Sequence, residues 1–581
     1  MIGLISATAA GAAARDRLAT AWPGRTRVYE GPVRESVERA FAECEQLVCF
    51  LATGAVVRLI APLLTDKSTD PGVVCVDEAG RYALALLGGH GGGANALAEE
   101  VSSVLACEPV VTTATDATGI PGLDTLGLPV EGAVAAVTRA VLDGEPVGLV
   151  QDAVWPLPAL PPNVGAGAAA AEGGSPVARL LVTDRVVQLG PRDAVLRPAS
   201  LVVGVGASKG ASVEEVLGLV EDALQDSGLS RLSVCELATV DAKAEEPGIV
   251  SAAARLGVPL TTYTAEALAQ ITVPNPSGAP LAAVGTPSVA EAAALARGGE
   301  LLVPKRKSNP EGRPAMATCA VVRRPPRGRL AVVGLGPGAR DLLTPRAADE
   351  LRRASVLVGL DQYVDQIRDL LRPGTRILES GLGAEEERAR TAVAEARAGH
   401  AVALIGSGDA GVYAMASPAL AEASDDIDVV GVPGVTAALA AAAVLGAPLG
   451  HDHVSISLSD LHTPWEVIER RVRAAAEADL VVTFYNPRSR GRDWQLPKAL
   501  SILAEHRAPA TPVGVVRNAS RADESSRLTT LAGLDPATVD MMTVVTVGNT
   551  ATREVAARMV TPRGYRWQTS QRPTAPPGAA Q

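Results

Sequence analysis

The chain has few aromatic and few charged residues. Of its 581 residues only 3% are aromatic and 20% are charged, whereas 47% are hydrophobic. The core must therefore consist mainly of Ala, Val and Leu, and so hydrophobic a chain is not intrinsically disordered. The length excludes a single core, because domains usually hold about 100 to 200 residues. The composition predicts several α/β domains.

Several classes of protein are disfavoured by what the sequence lacks. The six cysteines form no Cys-x-x-Cys pair, so we expect neither a disulfide framework nor a zinc site, and a cytoplasmic protein with reduced thiols. A net charge of −11 argues against nucleic acid as a partner. The amino-terminal segment lacks the basic region of a signal peptide. The uncharged run 429–450 contains two prolines, so we expect a buried helix there and no membrane span.

Short apolar runs alternate with Ala-rich stretches almost from end to end. This pattern predicts parallel strands that are each followed by a helix, in an α/β fold throughout. Residues 155–176 form a loop rich in Pro, Gly and Ala, interpreted as an excursion within a small domain. The predicted division is a domain at 1–125, a middle domain at 126–199, a third domain at 200–322, a basic Pro-rich linker at 323–329, a large α/β region at 330–562 and a disordered tail at 563–581.

Small-residue turns recur at the ends of predicted strands in the second half. Residues 330–338 (LAVVGLGPG) are a strand that runs into a glycine turn, and similar turns follow at 406–417 and 432–443. The first turn matches the dinucleotide fingerprint, but Pro337 removes a backbone donor that a pyrophosphate would use. Such turns meet at one edge of a parallel sheet, where ligands bind. The alternative is that the glycines only turn the chain.

The second half resembles a known family in the order and spacing of its motifs. GLGPG, GSGDAGVYAMAS, VPGVTAA, HDHVSISLSDLHTPWEVIERR, TFYNPRSR, PVGVVRNA and TVVTVGN are similar to the tetrapyrrole methylases over residues 328–560, in particular the precorrin-3B C-17 methyltransferases and their cobalt-pathway counterparts. The resemblance implies a two-domain α/β fold of the class III methyltransferase type, with S-adenosylmethionine in the cleft between the domains and usually a homodimer.

The resemblance also implies which residues contact the cofactor. They are Pro337, Ser407, Gly408, Asp409, Val412, Tyr413, Thr436, Ala437, Tyr485, Asn486, Asn518 and Ala519. The implied reaction is methylation at C-17 of precorrin-3B or cobalt-factor III, coupled to contraction of the macrocycle to the precorrin-4 level. Methyl transfer from a sulfonium needs positioning more than acid or base catalysis. In that setting Asp409 is a candidate acceptor for an amine or a hydroxyl group.

Ring contraction needs a proton acceptor, and four candidates lie in one segment. They are His451, His453, Asp460 and His462. His451 and His453 alternate on a predicted strand and would share a face, which also fits a metal site or a simple hydrogen-bonded pair. We expect no metal bound by the protein, and cobalt only within the substrate.

A histidine surrounded by glycines marks the first half. Residues 86–100 (LLGGHGGGANALAEE) are a strand end, a glycine loop around His90 and the start of a helix, and a later strand ends near Asp116. A glycine loop that enters a helix presents free amides, which suit an anion or an oxyanion. A lone histidine is usually structural, but His90 has little core around it, which favours a function.

The first half resembles a second family. GHGGGANALAEE, TTATD, LVVGVGASKGAS and ELATVDAKAEEPGI are similar to the cobalt-precorrin-5A hydrolases over nearly all of residues 1–322. The resemblance implies that a lactone is opened by water with release of acetaldehyde. Where relatives commonly have a cysteine–arginine pair, this chain has Ala207 and Ser208, which excludes thiol chemistry there. We interpret His90 or Asp116 as the base, with the glycine-loop amides or Lys243 stabilising the oxyanion.

The two resemblances together predict a bifunctional enzyme that acts on carboxylate-rich tetrapyrroles. One alternative is a methyltransferase whose first half is inactive and serves as a binding or channelling module. Another is a nucleotide-binding regulatory protein in which both glycine loops sense a cofactor. Because the two halves share one chain, and the hydrolase belongs to the cobalt-early route, we favour a cobalt-containing substrate.

Overall fold

A computed structural model describes most of the chain. The described residues are 1–66, 69–89, 91–113, 119–120, 122–165, 176–278, 281–282, 285–489 and 491–564. They fold into two compact units: the first comprises residues within 1–155, 160–326 and 372–374, and the second those within 156–159, 327–371 and from 375 onward. The main boundary, between residues 326 and 327, lies inside the predicted linker. Strands reach into that segment from both sides and leave only 324–328 between them.

The first sheet has helices on both faces. Its elements are β1 (Ile2–Ser6), α1 (Ala9–Ala21), β2 (Thr26–Tyr29), α2 (Val33–Glu43), β3 (Gln46–Phe50), α3 (Thr53–Ile60), β4 (Gly72–Val76), β5 (Tyr82–Leu87), α4 (Ala94–Leu105) and β6 (Glu108–Val110). The strand order is β2–β1–β3–β4–β5–β6, and only β4 and β5 are antiparallel. α1 and α4 pack on one face and α2 and α3 on the other.

The second sheet is the smaller middle region. Its elements are β7 (Val130–Gly132), α5 (Val134–Leu142), β8 (Val147–Gln151), β9 (Val164–Gly165), β10 (Ala178–Val182) and β11 (Asp193–Leu196). The order is β7–β11–β10–β8–β9, with β7 antiparallel to β11. The predicted loop at 155–176 leaves this sheet after β8. It contributes the short strand β9 before residues 166–175, which lie outside the described part of the chain.

The third sheet completes the first unit. Its elements are β12 (Leu201–Ala207), α6 (Val213–Asp226), β13 (Val234–Val240), α7 (Pro247–Leu256), β14 (Leu260–Tyr263), α8 (Ala265–Ala269), α9 (Ala290–Leu295), β15 (Glu300–Lys307) and β16 (Ala317–Arg323). The order is β14–β13–β12–β16–β15, and β16 is antiparallel to both of its neighbours. α6 and α7 pack on one face and α8 and α9 on the other.

The fourth sheet opens the second unit and is parallel throughout. Its elements are β17 (Arg329–Gly334), α10 (Pro345–Arg353), β18 (Val356–Leu360), α11 (Asp361–Val364), β19 (Arg376–Ser380), α12 (Glu385–Arg397), β20 (Ala401–Gly406), α13 (Ala416–Glu422) and β21 (Asp428–Val432). The order β19–β18–β20–β17–β21 makes β20, β17 and β21 neighbours. Their carboxyl ends therefore share one edge.

The last region contains a five-stranded sheet and a three-stranded ribbon. Its elements are α14 (Ala437–Leu445), β22 (Gly446–Ala447), β23 (His453–Ser457), α15 (Trp465–Glu477), β24 (Val481–Tyr485), α16 (Gln495–Ala504), β25 (Pro512–Arg517), β26 (Ser525–Thr530), β27 (Thr543–Val547), β28 (Arg553–Val555) and β29 (Arg558–Val560). The main order is β23–β24–β27–β25–β26, and the ribbon is β22–β29–β28. α15 and α16 cover one face of the main sheet and α14 the other.

The α/β class is confirmed, but the expectation of parallel strands fails in one sheet. In the main sheet of the last region only β23 and β24 are parallel, because an apolar run marks a buried strand without fixing its direction. The buried helix expected in the run 429–450 is the nine-residue α14, which follows a strand and a turn because the prolines of the run interrupt any longer helix. No helix among the described residues is long and apolar enough to span a bilayer.

All six cysteines lie in the first unit and are unpaired. Cys49 and Cys75 are register partners on β3 and β4, and Cys319 lies on β16. Burial raises the pKa of Cys49 and of Cys319 to about 12. These thiols therefore behave as small core side chains.

Candidate functional site

Three glycine turns touch one another at the carboxyl edge of the fourth sheet. Gly336 and Gly408 exchange two backbone hydrogen bonds, of 3.0 and 2.7 Å. A Cβ atom on Gly434 would lie 2.2 Å from the carbonyl oxygen of Gly408 and 2.7 Å from that of Gly334. The turns after β17, β20 and β21 therefore meet through their backbones, and side chains are excluded by the lack of space.

Asp409 joins two of these turns. Its Oδ1 accepts from the amide of Gly411 at 2.8 Å, and its Oδ2 accepts from the amide of Gly434 at 3.0 Å. The sequence suggested a carboxylate that accepts from a bound amine or hydroxyl. The structure instead directs both oxygens to backbone amides, so Asp409 fixes the shape of the site.

Tyr485, the last residue of β24, caps a helix that follows the third turn. Its hydroxyl accepts from the amide of Ala438 at 2.8 Å and shares a 2.6 Å hydrogen bond with Oγ1 of Thr436. Thr436 is the N-cap residue of α14, yet its own side chain makes no cap bond within the helix. The chain enters α14 from β21 of the fourth sheet, and the first turn of the helix is capped by a residue of β24, a strand of the main sheet of the last region.

Tyr413 lies beside Tyr485. The ring centroids are 5.3 Å apart with a tilt of 56°, and the Tyr413 hydroxyl donates to the Ser455 carbonyl at 2.7 Å. Its backbone has φ +52°, a left-handed conformation that is costly for a bulky residue. Tyr413 therefore bridges the turn after β20 and the strand β23.

A loop after β25 reaches the first glycine turn. Nε of Arg521 donates to the carbonyl of Pro337 at 3.1 Å. In the same loop Asn518 is 7% exposed and donates from Nδ2 to Asp523 at 2.6 Å. Oδ1 of Asn518 is buried and has no hydrogen-bond partner within the described residues. A buried acceptor of this kind calls for a donor from a ligand or a water.

Asn486 and Asp460 lie at the same edge of the main sheet as Tyr485. Nδ2 of Asn486 donates to Oγ of Ser457 at 3.1 Å, which joins the ends of β23 and β24. The Asp460 carboxylate is exposed and accepts from Nε2 of Gln495 at 3.0 Å. Asp460 therefore stays a candidate proton acceptor next to the predicted cofactor residues.

His451 and His453 are at the opposite end of the strand. β23 begins at His453, which pairs with Val481 at the start of β24, so about 13 Å of strand separates it from the edge near Asn486. His451 precedes the strand, and its Nδ1 accepts from the amide of Asp452 at 2.7 Å. The structure therefore does not bring these two predicted catalytic residues to the edge that carries the predicted cofactor residues. A strand has two ends, and the sequence spacing does not say which end carries the site.

The other predicted cofactor residues lie on the same turns. Ser407 directly follows β20, and the amide of Val412 donates to the Asp409 carbonyl at 3.2 Å. Ala437 is the first residue of α14, and Ala519 follows Asn518. The structure thus brings the predicted set together. Among the described residues no group of three His, Cys, Asp or Glu side chains is arranged to hold a metal ion.

The glycine loop of the first half packs against a strand. A Cβ atom on Gly72, the first residue of β4, would lie 2.2 Å from the Gly92 carbonyl oxygen. The amides of Ala94 and Asn95, at the start of α4, donate to the carbonyls of Gly88 and Gly89 at 3.1 and 3.0 Å. These two amides at the start of α4 are therefore used internally, and the predicted role of the glycine-loop amides in stabilising an oxyanion stays a prediction.

His90 and Asp116, the two predicted bases, lie outside the described residues. Lys243, the third predicted catalytic residue of this half, follows β13 and forms a 3.1 Å ion pair with Glu246. Glu246 also accepts from the Gly210 amide at 2.7 Å, and this bond together with Lys243 holds the pKa of Glu246 below its usual value. Glu246 thereby links the turns after β12 and β13, and Lys243 orients its carboxylate.

Sequence reasoning missed Arg521 and a second arginine, Arg492, which is 8% exposed. Arg492 lies in the segment NPRSRGR, where a run of basic residues suggests a solvated surface. The position of this segment could have indicated a role at the site. It connects β24 to α16 and begins at the strand end that carries the site.

Three segments of the chain match models of known protein families. Residues 329–535 match the family of tetrapyrrole (corrin/porphyrin) methylases. Residues 35–116 match the family described as cobalamin synthesis G N-terminal, and residues 201–322 the family described as cobalamin synthesis G C-terminus.

Individual relatives match the second half. The chain is 47% identical over 239 residues to a probable cobalt-factor III C(17)-methyltransferase of Salmonella typhimurium. The match covers 41% of this chain and 99% of the relative. It is 43% identical to a precorrin-3B C(17)-methyltransferase of a Sinorhizobium species, over 39% of this chain and 91% of the relative. Two further curated relatives, from Priestia megaterium and Mycobacterium bovis, are matched over only 45% and 48% of their length.

A solved structure of the methyltransferase CobJ is also similar, with 39% identity over 40% of this chain and 100% of that chain, at a TM-score of 0.39. The relative that is 47% identical is matched over 99% of its length, and this match establishes the family of the second half. The chain belongs, through that half, to the family of tetrapyrrole methylases, and its first half carries the two cobalamin synthesis G regions.

Proposed function

We propose that the chain is a bifunctional enzyme of cobalamin biosynthesis. The second half transfers a methyl group from S-adenosylmethionine to C-17 of cobalt-factor III or precorrin-3B, with contraction of the ring to the precorrin-4 level. The first half hydrolyses the lactone of cobalt-precorrin-5A and releases acetaldehyde. The observation that carries the first activity is the meeting of three backbone turns with Tyr485 and Asn518 at one edge, in a chain region 47% identical to a C(17)-methyltransferase.

The residues at this edge fit the cofactor. The buried, unpartnered Oδ1 of Asn518 suits a donor such as an amine or a hydroxyl group. The turns at Gly408 and Gly434 allow close approach because they are lined by backbone. S-adenosylmethionine, when bound, supplies the methyl group from its sulfonium centre. The residues that would hold it are Pro337, Ser407, Gly408, Val412, Tyr413, Thr436, Ala437, Tyr485, Asn486, Asn518 and Ala519.

The protein's contribution to methyl transfer is positioning. Tyr485 and Asp409 fix the backbone of the second and third turns, and Arg521 fixes the first. Holding both reactants in line lowers the barrier without a strong acid or base. For ring contraction, Asp460 is the proton acceptor that we propose, since its carboxylate is exposed at this edge and oriented by Gln495.

The methyltransferase test uses the purified full chain with S-adenosylmethionine. Cobalt-factor III and precorrin-3B are supplied separately, and the products are analysed by mass spectrometry. We expect one added methyl group, with faster turnover of the cobalt-containing substrate. No added methyl on either substrate would refute this activity. Asp460→Asn should slow ring contraction while leaving the affinity for S-adenosylhomocysteine unchanged.

The hydrolase test measures acetaldehyde released from the lactone substrate. We expect release by the full chain, and slower release after Lys243→Ala, because the variant frees the Glu246 carboxylate, which accepts from the Gly210 amide of the turn after β12. Lys307→Ala, at the exposed end of β15, is the matched control. Methylation without any acetaldehyde would favour the alternative, in which the first half is a binding or channelling module.

We further propose that the second half forms a homodimer. Leu382 and Leu420 of the second unit are 81% and 58% exposed, and covering such side chains favours association. Light scattering of the full chain is expected to give twice the mass of one chain. A monomer at all accessible concentrations would contradict this proposal.

A further inference from the structure

A buried guanidinium ties together two strands at the edge that carries the site. Nη1 of Arg492 donates to the carbonyl of Leu458, just after β23, at 3.0 Å and to the carbonyl of Asn486, just after β24, at 2.5 Å. Arg492 is 8% exposed. A single side chain therefore sets the relative position of two strand ends.

The same side chain reaches a third segment. Nη2 of Arg492 contacts Sδ of Met541 at 3.3 Å, two residues before β27 begins. Its backbone exchanges hydrogen bonds of 2.9 and 3.2 Å with Ser489, which closes the loop that follows Asn486. Arg492 is thus fixed at its backbone and at its guanidinium.

The carbonyl that Arg492 holds belongs to a residue with a left-handed backbone. Asn486 has φ +49°, so the chain makes a left-handed turn directly after Tyr485. Asparagine adopts this conformation more readily than other non-glycine residues, and the contacts around it hold it there. Here the constraints are the Arg492 bond to the Asn486 carbonyl and the Asn486 bond to Ser457. Losing the first of them frees the turn, and with it the end of β24 that delivers the Tyr485 hydroxyl to α14.

Keeping this charge buried is costly. Burial lowers the pKa of the Arg492 guanidinium, although the nearby carboxylate of Asp460 opposes the shift. Apolar side chains of similar volume often stabilise a sheet more than a buried guanidinium does. Its retention at the site edge favours a role in positioning.

We propose that Arg492 is a positioning residue that holds the Tyr485–Asn486 turn in its cofactor-binding conformation. The proposal rests on the proposed methyltransferase function. Arg492 acts through the turn and does not itself touch the reacting atoms.

The chain offers a matched control at the other end of the same sheet. Arg507 is 5% exposed, and its guanidinium donates to the carbonyls of Gly548 at 2.7 Å and Leu480 at 2.5 Å. Burial lowers its pKa to about 10. Leu480 directly precedes β24, so Arg507 serves the strand end that lies away from the predicted cofactor residues.

The experiment compares Arg492→Lys and Arg492→Ala with Arg507→Lys in the full chain. Binding of S-adenosylhomocysteine is measured by calorimetry, KM and kcat for S-adenosylmethionine by turnover, and Tm by scanning calorimetry. We expect Arg492→Ala to weaken binding about tenfold or more and to raise KM more than it lowers kcat. Arg492→Lys should recover part of the affinity, because lysine still donates to one carbonyl. Arg507→Lys should lower Tm with unchanged affinity.

Two results would overturn the proposal. One is wild-type affinity in folded Arg492→Ala protein. The other is a loss of affinity that follows Tm equally in the Arg492 and Arg507 variants, which would make both residues purely structural. If the wild-type chain itself does not bind S-adenosylhomocysteine, the proposed methyltransferase function is refuted. This outcome differs from the two results above, in which the wild-type chain binds the ligand.

Discussion

Two glycine clusters, one in each unit, look alike in sequence and differ in their surroundings. In the first, a Cβ atom on Gly72 would meet the Gly92 carbonyl at 2.2 Å, and in the second a Cβ atom on Gly434 would meet that of Gly408 at the same distance. Both clusters exist because backbones touch. Only the second lies beside a helix start capped by a tyrosine from another sheet, Tyr485. A glycine-rich motif therefore reports close packing first, and a ligand site only when other elements converge on it.

The largest effect is expected from Gly434→Ala. The added methyl overlaps two backbone oxygens that have no room to move, so the third turn has to shift. We expect loss of S-adenosylhomocysteine binding by calorimetry and a destabilisation of about 1–3 kcal/mol or more. Gly431→Ala is the control, since no described atom lies within 4 Å of its Cβ position. Wild-type affinity in Gly434→Ala protein would show that the contact between turns is dispensable.

Gly72→Ala extends the comparison to the first unit. We expect a destabilisation of about 1–3 kcal/mol in denaturant, because the methyl meets the Gly92 carbonyl. Affinity for S-adenosylhomocysteine should stay unchanged, since no cofactor residue is predicted in this unit. For the control, Gly91→Ala, no described atom lies within 4 Å of the Cβ position. Equal stability of the two variants would contradict the role given to Gly72.

A smaller effect is expected from Tyr485→Phe. Loss of the hydroxyl leaves the amide of Ala438 without its partner, at a cost of about 1 kcal/mol, as for other helix caps. KM for S-adenosylmethionine should rise, because the start of α14 carries Thr436 and Ala437. Thr436→Val removes only the side-chain bond and should lower Tm less. The reverse order of the two variants in thermal unfolding would argue against capping by Tyr485.

The smallest effect concerns the pH dependence of the first unit. The folded pKa of Glu246 lies below its ordinary value, so its contribution to stability is present above that value and is lost as pH falls through the folded pKa. Glu246→Gln should be less stable than wild type at about pH 7, and the difference in urea unfolding should shrink as the pH falls below the ordinary pKa of a glutamate. A constant difference between the two proteins at all pH values would show that Glu246 is not ionised in this pair.

The sequence predicted the class and the loops of the site, but not the contacts between the loops. Apolar runs identified the strands, and small-residue turns identified the edge at which Gly408 and Thr436 lie. The capping of α14 by Tyr485 depends on which strands are neighbours, and no local pattern records that. The same limit misplaced His453, because only the direction of β23 shows which end faces the turns. Arg492 was missed since its burial follows from tertiary packing.

The positions of the cysteines allow the opening of the first unit to be measured by chemical labelling. Thiolates, not thiols, react with alkylating reagents, and the raised pKa of Cys49 and of Cys319 keeps both protonated in the folded state. Their alkylation therefore requires the surrounding sheets to open. Because the second unit contains no cysteine, the rate at which Cys49 and Cys319 are labelled in the intact chain follows the opening of the first unit alone.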